Sequence, residues 1–182
     1  MSSRHRLALH NREMLLEAAS QIFRLHGIHA PLQLVIDQAQ VGRATFYRNF
    51  KDRRALVIAM VKQSFDRLEQ KAESLAQYDD GFIRLIHEHI YNIPYLIALI
   101  EYWRVIVKND PILDTLFQRR DEILQPLIDK AITTGHCRSD FTTHDYVIVT
   151  SILRSAIQEV NESEQLRIAK RAVELLIHGI RA

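Results

Sequence analysis

The sequence predicts an all-α protein of about nine helices: a three-helix N-terminal domain over residues 1–51, then a larger helical domain over 52–182. Three observations carry that expectation. Only 5 Gly and 4 Pro occur in 182 residues, too few turn signals for a many-stranded sheet. Hydrophobic content of 47% against 25% charged residues describes a globular chain able to bury a core. Apolar residues recur every three or four positions along most of the chain, which is the spacing of one helix face.

Asn11 is the expected N-cap of the first helix, which runs to about His26 with Leu15, Ala18, Ala19, Ile22 and Phe23 facing inward. Gly27 supplies its stop. Pro31 suits the first turn of a second helix, where a missing N–H costs nothing, and Leu32, Val35, Ile36 and Ala39 stripe that helix. Gln40, Val41 and Gly42 break the chain before a third short helix, Arg43 to about Asn49. Three short helices, the last two joined by a tight turn, constitute helix-turn-helix organisation.

Asp52 is placed to cap a much longer fourth helix reaching about Gln77, whose first turns continue the N-terminal domain. Leu56, Met60 or Val61, Phe65, Leu68, Ala72 and Leu75 mark its inward side. A fifth helix is expected over 81–92, a sixth from Pro94 to just before Asn109, and a seventh over about 111–134 with a bend at Pro126. The loop Thr134–Asp140 precedes two last helices, over about 143–160 and 163–180.

Charge is distributed unevenly. Residues 1–63 hold ten Lys and Arg against four Asp and Glu, a balance of +6, while the remainder holds 14 bases and 18 acids, or −4. A basic head on an acidic body is the electrostatic footprint of a nucleic-acid reader. Cys137 is the only cysteine, so the chain forms no internal disulfide, which fits a reducing compartment and predicts a cytoplasmic protein. The most apolar stretch, Ile93–Ile100, is stopped by Glu101 and Arg104, short of the ~20 residues of a membrane span.

Two segments carry a family resemblance. Asn11-Arg12-Glu13-Met14-Leu15-Leu16-Glu17-Ala18-Ala19-Ser20-Gln21-Ile22-Phe23 resembles the opening helix of TetR-family regulators. The run Val41-Gly42-Arg43-Ala44-Thr45-Phe46-Tyr47-Arg48-Asn49-Phe50-Lys51-Asp52-Arg53-Arg54-Ala55-Leu56 resembles their recognition segment. Gly135, Arg138 and Asp140 are similar to the loop that precedes the family's dimerisation helices. Departures occur at Gln40, where the family has a turn glycine, and at Gly42, where it has a capping serine. Ala30-Pro31 replaces a threonine pair, Asn49 an aromatic or histidine, and Arg53 a lysine.

The resemblance implies a DNA-binding head, an effector-binding and dimerisation body, and regulation of transcription. The residue chemistry of the third helix agrees with a place in the major groove. Arg43 would pair with a guanine or hold a phosphate, and Thr45 and Tyr47 offer hydroxyls to backbone oxygens. Arg48, Asn49 and Lys51 extend that polar line, and Arg53 would reach the backbone near the start of the fourth helix. Phe46 and Phe50 supply the apolar side that seats the helix.

In the body, Phe65, Phe82, His89, Tyr95, Tyr102, Trp103 and Phe117 are candidates to line an apolar pocket for a small apolar or aromatic effector; ordinary core is the alternative for each. Tyr146, Val149, Leu153, Ile157, Leu166, Val173 and Ile177 stripe the last two helices and are the expected dimer interface; internal packing is the alternative. The expected partner is a roughly palindromic double-stranded operator bound by a homodimer. Release by the effector would be transmitted along the fourth helix. A DNA-tethered adaptor that recruits another protein, without a small-molecule switch, is the second reading.

No cofactor or metal is expected. His87 and His89 stand two apart on a helix and diverge, and His136-Cys137 lacks partner ligands. The sequence holds no glycine-rich phosphate loop, nucleophile elbow or zinc-protease motif, so an enzyme is not expected.

Overall fold

The computed structural model describes the backbone of residues 3–88, 111–156 and 162–180. Eight helical segments occur among them, and no strand. In order they are α1 (Ser3–His26), α2 (Leu32–Gln38), α3 (Arg43–Asn49), α4 (Arg53–Leu75), α5 (81–88), α6 (Pro111–Thr133), α7 (Thr143–Ala156) and α8 (Glu162–Ile180). The sixth helix expected from the sequence lies outside the described residues. Two compact units divide the chain within α4, between Ser64 and Phe65.

In the first unit α1 packs on α2 and α3. Leu15, Ala19 and Phe23 from α1, Val35 from α2, Phe46 and Phe50 around α3, and Leu56 from α4 are essentially inaccessible to water. Burying aromatic and aliphatic side chains of this size, at roughly 1.5–3 kcal/mol each, is what holds the two seven-residue helices α2 and α3, too short to persist alone, against α1.

The start of α1 differs from expectation. Asn11 is not a cap but an interior residue, because the helix begins at Ser3. Nothing in residues 3–10 is a Gly or Pro, and Leu7, Ala8 and Leu9 are good helix formers. Propagation outward from the packed turns therefore wins over the local capping preference of Asn11.

The caps further along explain why the remaining ends fall where they do. Gln40 stands at φ +53, the left-handed cap position after α2. The Val41 N–H donates to the Ile36 carbonyl at 3.3 Å and the Gln40 N–H to that of Asp37 at 3.0 Å, the paired bonds of a Schellman stop. The turn geometry is thus kept without a glycine. Asp52 caps α4 as expected, its carboxylate accepting from the Ala55 N–H at 2.7 Å. That helix ends at Leu75 rather than Gln77.

In the second unit α6 runs through Pro126 without interruption. The core is built from Phe82, Leu85 and Ile86 of α5, Leu124, Ile128 and Ala131 of α6, Leu153 of α7 and Val173 of α8. Phe82 meets Phe141 edge-on at 5.2 Å and lies 6.4 Å from the Tyr146 ring. Burial pushes the Tyr146 phenol well above its usual range.

The Gly135–Asp140 loop closes this unit. Gly135 takes φ +73 and ends α6 with the same paired bonds, His136 N–H to Ala131 at 2.8 Å and its own N–H to Ile132 at 3.0 Å. The Arg138 N–H then donates to the Ile180 carbonyl at 2.8 Å, and its guanidinium forks onto Asp140. Burial pushes the Cys137 thiol up to about 11, so it stays protonated and unreactive at neutral pH. Among the described residues no helix is long and apolar enough to cross a membrane.

Candidate nucleic-acid interface

The third helix is anchored on one side and bare on the other. Phe46 and Phe50 are 0% and 1% exposed, while Arg43, Ala44, Tyr47 and Arg48 face water and Thr45 and Asn49 are half-buried. That asymmetry follows from spacing: positions 46 and 50 are one helical turn apart and point into the core formed by α1 and α2. The Tyr47 ring lies edge-on to Phe46 at 5.2 Å, which steadies the ring while leaving the residue 48% exposed.

The predicted DNA contacts divide into three kinds. Arg43 and Lys51 are exposed and make no hydrogen bond or ion pair within the described residues. Arg48 and Asn49 turn back on their own helix. The Arg48 guanidinium donates to the Ala44 carbonyl at 3.2 Å and to the Thr45 hydroxyl at 3.1 Å, and the Asn49 amide donates to the Thr45 carbonyl at 2.8 Å. Arg53 has a different use. Its guanidinium donates to the Ile28 and Ala30 carbonyls at 2.5 and 2.6 Å and stands 5.6 Å from the Phe23 ring centre. It clamps the α1–α2 connection, because that loop leaves carbonyls with no helical partner beside a half-buried cation.

Arg12 escaped the sequence reading. It donates to the Asn49 carbonyl at 3.3 Å and lies 4.5 Å over the Phe50 ring, closing the C-terminal end of α3. The signal was present, since Arg12 continues the inward row of Leu15, Ala19 and Phe23 at spacings of three and four. The α3 N-cap, Gly42, offers no side-chain oxygen, so this end lacks the usual cap bond.

In the second unit three of the predicted pocket aromatics, Phe65, Phe82 and Phe117, fall among the described residues, and none of the three lines the cleft between α4 and α6. Phe82 is core, and Phe65 and Phe117 are half-buried, with Arg120 standing 5.3 Å over the Phe117 ring. His89, Tyr95, Tyr102 and Trp103 lie outside the described residues. A cleft of about 300 Å³ runs instead between α4 and α6, floored by Ala72, Ile123, Pro126 and Leu127 and rimmed by Glu73 and Glu122. At its edge Arg119 pairs with Asp66 at 2.8 Å and Glu69 at 2.5 Å, which raises the guanidinium's proton affinity through the Glu69 bond first and then that of Asp66.

The predicted dimer residues are also mostly internal. Tyr146, Val149, Leu153, Val173 and Ile177 are buried within the protomer, and Leu166 is exposed. Ile157 lies outside the described residues. Among the described residues, the large apolar side chains that α7 and α8 leave exposed are Leu166, Ile148, Ile152 and Leu175. Residues 148 and 152 sit one turn apart on α7, rotated about 100° around the helix from 149 and 153.

Residues 15–60 match the sequence profile of the bacterial regulatory proteins of the tetR family. No curated protein matches the chain. Among solved structures, a TetR transcriptional regulator from Streptomyces coelicolor shares 26% identity over 93% of this chain and 98% of its own, with a TM-score of 0.73. A TetR transcription regulatory protein from Mycobacterium vanbaalenii shares 19% over 98% and 99%, with a TM-score of 0.74. The regulator LfrR from Mycobacterium smegmatis, solved in complex with proflavine, shares 19% over 100% and 99%, with a TM-score of 0.69. Residues 15–60, which build the unit that seats α3, thus match the TetR family of bacterial regulatory proteins, and the fold of the whole chain is that of the TetR regulators it is similar to.

Proposed function

We propose that the protein is a cytoplasmic homodimeric repressor that holds a roughly palindromic operator and releases it when a small molecule binds the second unit. The observation that carries the DNA half is the division of α3: Phe46 and Phe50 fully seated, Arg43, Tyr47 and Lys51 outward. Arg43 reads a base or grips a phosphate, Thr45, Tyr47 and Lys51 hold backbone oxygens, and Arg48 and Asn49 would have to leave their helix bonds to take part. Arg53 and Arg12 position this helix and do not themselves bind.

Two features support an effector switch. The M. smegmatis relative was solved with proflavine, and another structural relative at 17% identity and a TM-score of 0.60 is the repressor of a multidrug efflux pump in Stenotrophomonas maltophilia. In this chain α4 runs unbroken from Arg53 to Leu75, and its last turns line the cleft against α6. A ligand bound there would act on the same helix that Asp52 caps beside the DNA-reading unit. The cleft's apolar floor suits a small apolar or aromatic molecule and lies at the lower end of ligand-pocket sizes.

Selection of bound sequences from random DNA tests this, followed by titration at several salt concentrations. A consensus of two half-sites is expected. Arg43→Ala should blur preference at one position, whereas Tyr47→Phe should weaken all sequences evenly. Equal loss on every sequence for Arg43→Ala assigns it to a phosphate. An operator affinity indifferent to a broad panel of small apolar and aromatic compounds would overturn the switch and favour the adaptor reading.

A further inference from the structure

We propose that the cleft between α4 and α6 takes a protonated amine on a small apolar body, which makes the effector an organic cation. The inference rests on the effector switch proposed above and narrows it to one chemical class. Ala72 and Ala76, one turn apart, line one wall, and Ile123, Pro126 and Leu127 line the other. The two alanines stop at Cβ, which leaves a trough for the apolar body. Among the described residues no aromatic ring lines it, so a cation there is met by carboxylates and not by ring faces.

Charge and hydrogen-bonding capacity select the occupant. Arg119 pairs with Asp66 at 2.8 Å and with Glu69. Lys130 donates to the Ala76 carbonyl at 2.8 Å and pairs with Asp79 at 3.3 Å. Both cations that line the cleft therefore already have carboxylates. The converse does not hold. Among the described residues Glu73 makes no side-chain hydrogen bond or ion pair, and Glu122 accepts only from the neutral Gln118 amide at 2.9 Å. One of these carboxylates stands on α4 and the other on α6, so a positive charge seated in the cleft is attracted from both walls.

Pro126 adds a further acceptor. A proline inside a helix has no N–H to give the carbonyl one turn back, and for Pro126 that carbonyl belongs to Glu122. The cleft thus sets negative charge and unmet acceptors beside an apolar floor. A carboxylate ligand would be repelled by Glu73 and Glu122, and a neutral one would leave both to water. A quaternary ammonium brings the charge without an N–H. A protonated amine supplies charge and donors together, and its bonds to carboxylates are the charge-assisted kind, shorter and stronger than neutral ones.

Calorimetric titration of the full-length protein with probes of one skeleton tests this: phenylbutylamine, its trimethylammonium analogue, phenylbutanol and phenylbutyrate. At low salt the amine should bind roughly tenfold more tightly than the alcohol, the scale two exposed carboxylates can supply, and the preference should shrink as salt is raised. The trimethylammonium compound should fall between them and the carboxylate should bind weakest. Glu73→Gln/Glu122→Gln should bring the amine down to the affinity of the alcohol while leaving the alcohol and the thermal midpoint unchanged. Ala76→Leu should weaken every probe by filling the trough. An amine preference that survives the double glutamine variant overturns the proposal, as does the absence of binding by any probe at millimolar concentration. Amine and alcohol bound alike, and both lost in Ala76→Leu, also overturn the cation but keep an apolar effector site in the cleft. Operator affinity is followed in parallel. An amine held by Glu73 and Glu122 that leaves operator binding unchanged upholds the cation site and overturns the effector switch instead.

Discussion

Gln40 shows how a single residue can keep a fold while working against its own preference. At φ +53 a side chain with a Cβ is strained by about 1–2 kcal/mol, and glycine would avoid that strain at an entropic cost of about 0.5–1 kcal/mol. The difference decides the sign. Gln40→Gly should stabilise the protein by about 0.5–1 kcal/mol, seen as a higher urea midpoint at unchanged slope; a lower midpoint would show that the Gln40 side chain contributes more than its backbone costs. Which cations serve structure was harder to foresee. Arg12, Arg43 and Arg53 look alike in sequence, yet two are held by carbonyls and rings and one is open to solvent. A side chain's partners belong to other segments, and spacing along one helix does not list them.

At the scale of an element, the ends are where most of the specification lies. Gly81 opens α5 so close to the end of α4 that a Cβ there would fall 2.4 Å from the Leu75 carbonyl oxygen. Gly81→Ala should therefore cost about 1–3 kcal/mol as the α4–α5 turn shifts, read as a drop in thermal midpoint, whereas Gly42→Ala, with nothing within 4 Å, should cost far less. The start of α7 is a reciprocal cap. The Asp145 carboxylate accepts from the Thr142 N–H at 2.8 Å and its hydroxyl at 2.7 Å, and the Asp145 N–H reaches the Thr142 hydroxyl at 3.4 Å. The Thr142 hydroxyl, followed by its backbone N–H, holds the Asp145 carboxyl below its usual 3.8. A folded pKa lowered in this way contributes stability that is present above pH 3.8 and is lost as pH falls through the folded value. Thr142→Ala should accordingly lower the urea midpoint at neutral pH and do so progressively less as the pH is taken below 3.8. A constant difference across that range would remove the carboxylate from the cap.

On the scale of the whole molecule, the outward apolar groups of α7 and α8 are the surface we propose pairs two copies. The apolar stripe of Tyr146, Val149, Leu153, Val173 and Ile177 is consumed inside the protomer, which leaves Ile148, Ile152, Leu166 and Leu175 as the apolar groups that α7 and α8 offer outward. Burial of such residues in a two-fold interface would present α3 twice and double the information read from DNA. Ile152→Glu should shift sedimentation from dimer to monomer and reduce affinity for a two-half-site duplex while leaving the thermal midpoint of each protomer nearly unchanged. A variant that remains dimeric would move the interface elsewhere. Helix periodicity marked the inner stripe without saying what it faces, because an apolar face turned toward its own chain and one turned toward a partner share the same spacing.

Much of this protein was legible along the chain. The helical class, the seated aromatics of α3 and the Asp52 cap all follow from local rules: turn residues, a period of 3.6, and side chains that satisfy nearby backbone groups. Packing settled the rest. Turning Arg53 onto the α1–α2 loop, sealing Phe82 into the core and opening the cleft between α4 and α6 all depend on which segments meet in space. Contacts between residues far apart in sequence have no periodic signature, and their energies outweigh the local preferences they override.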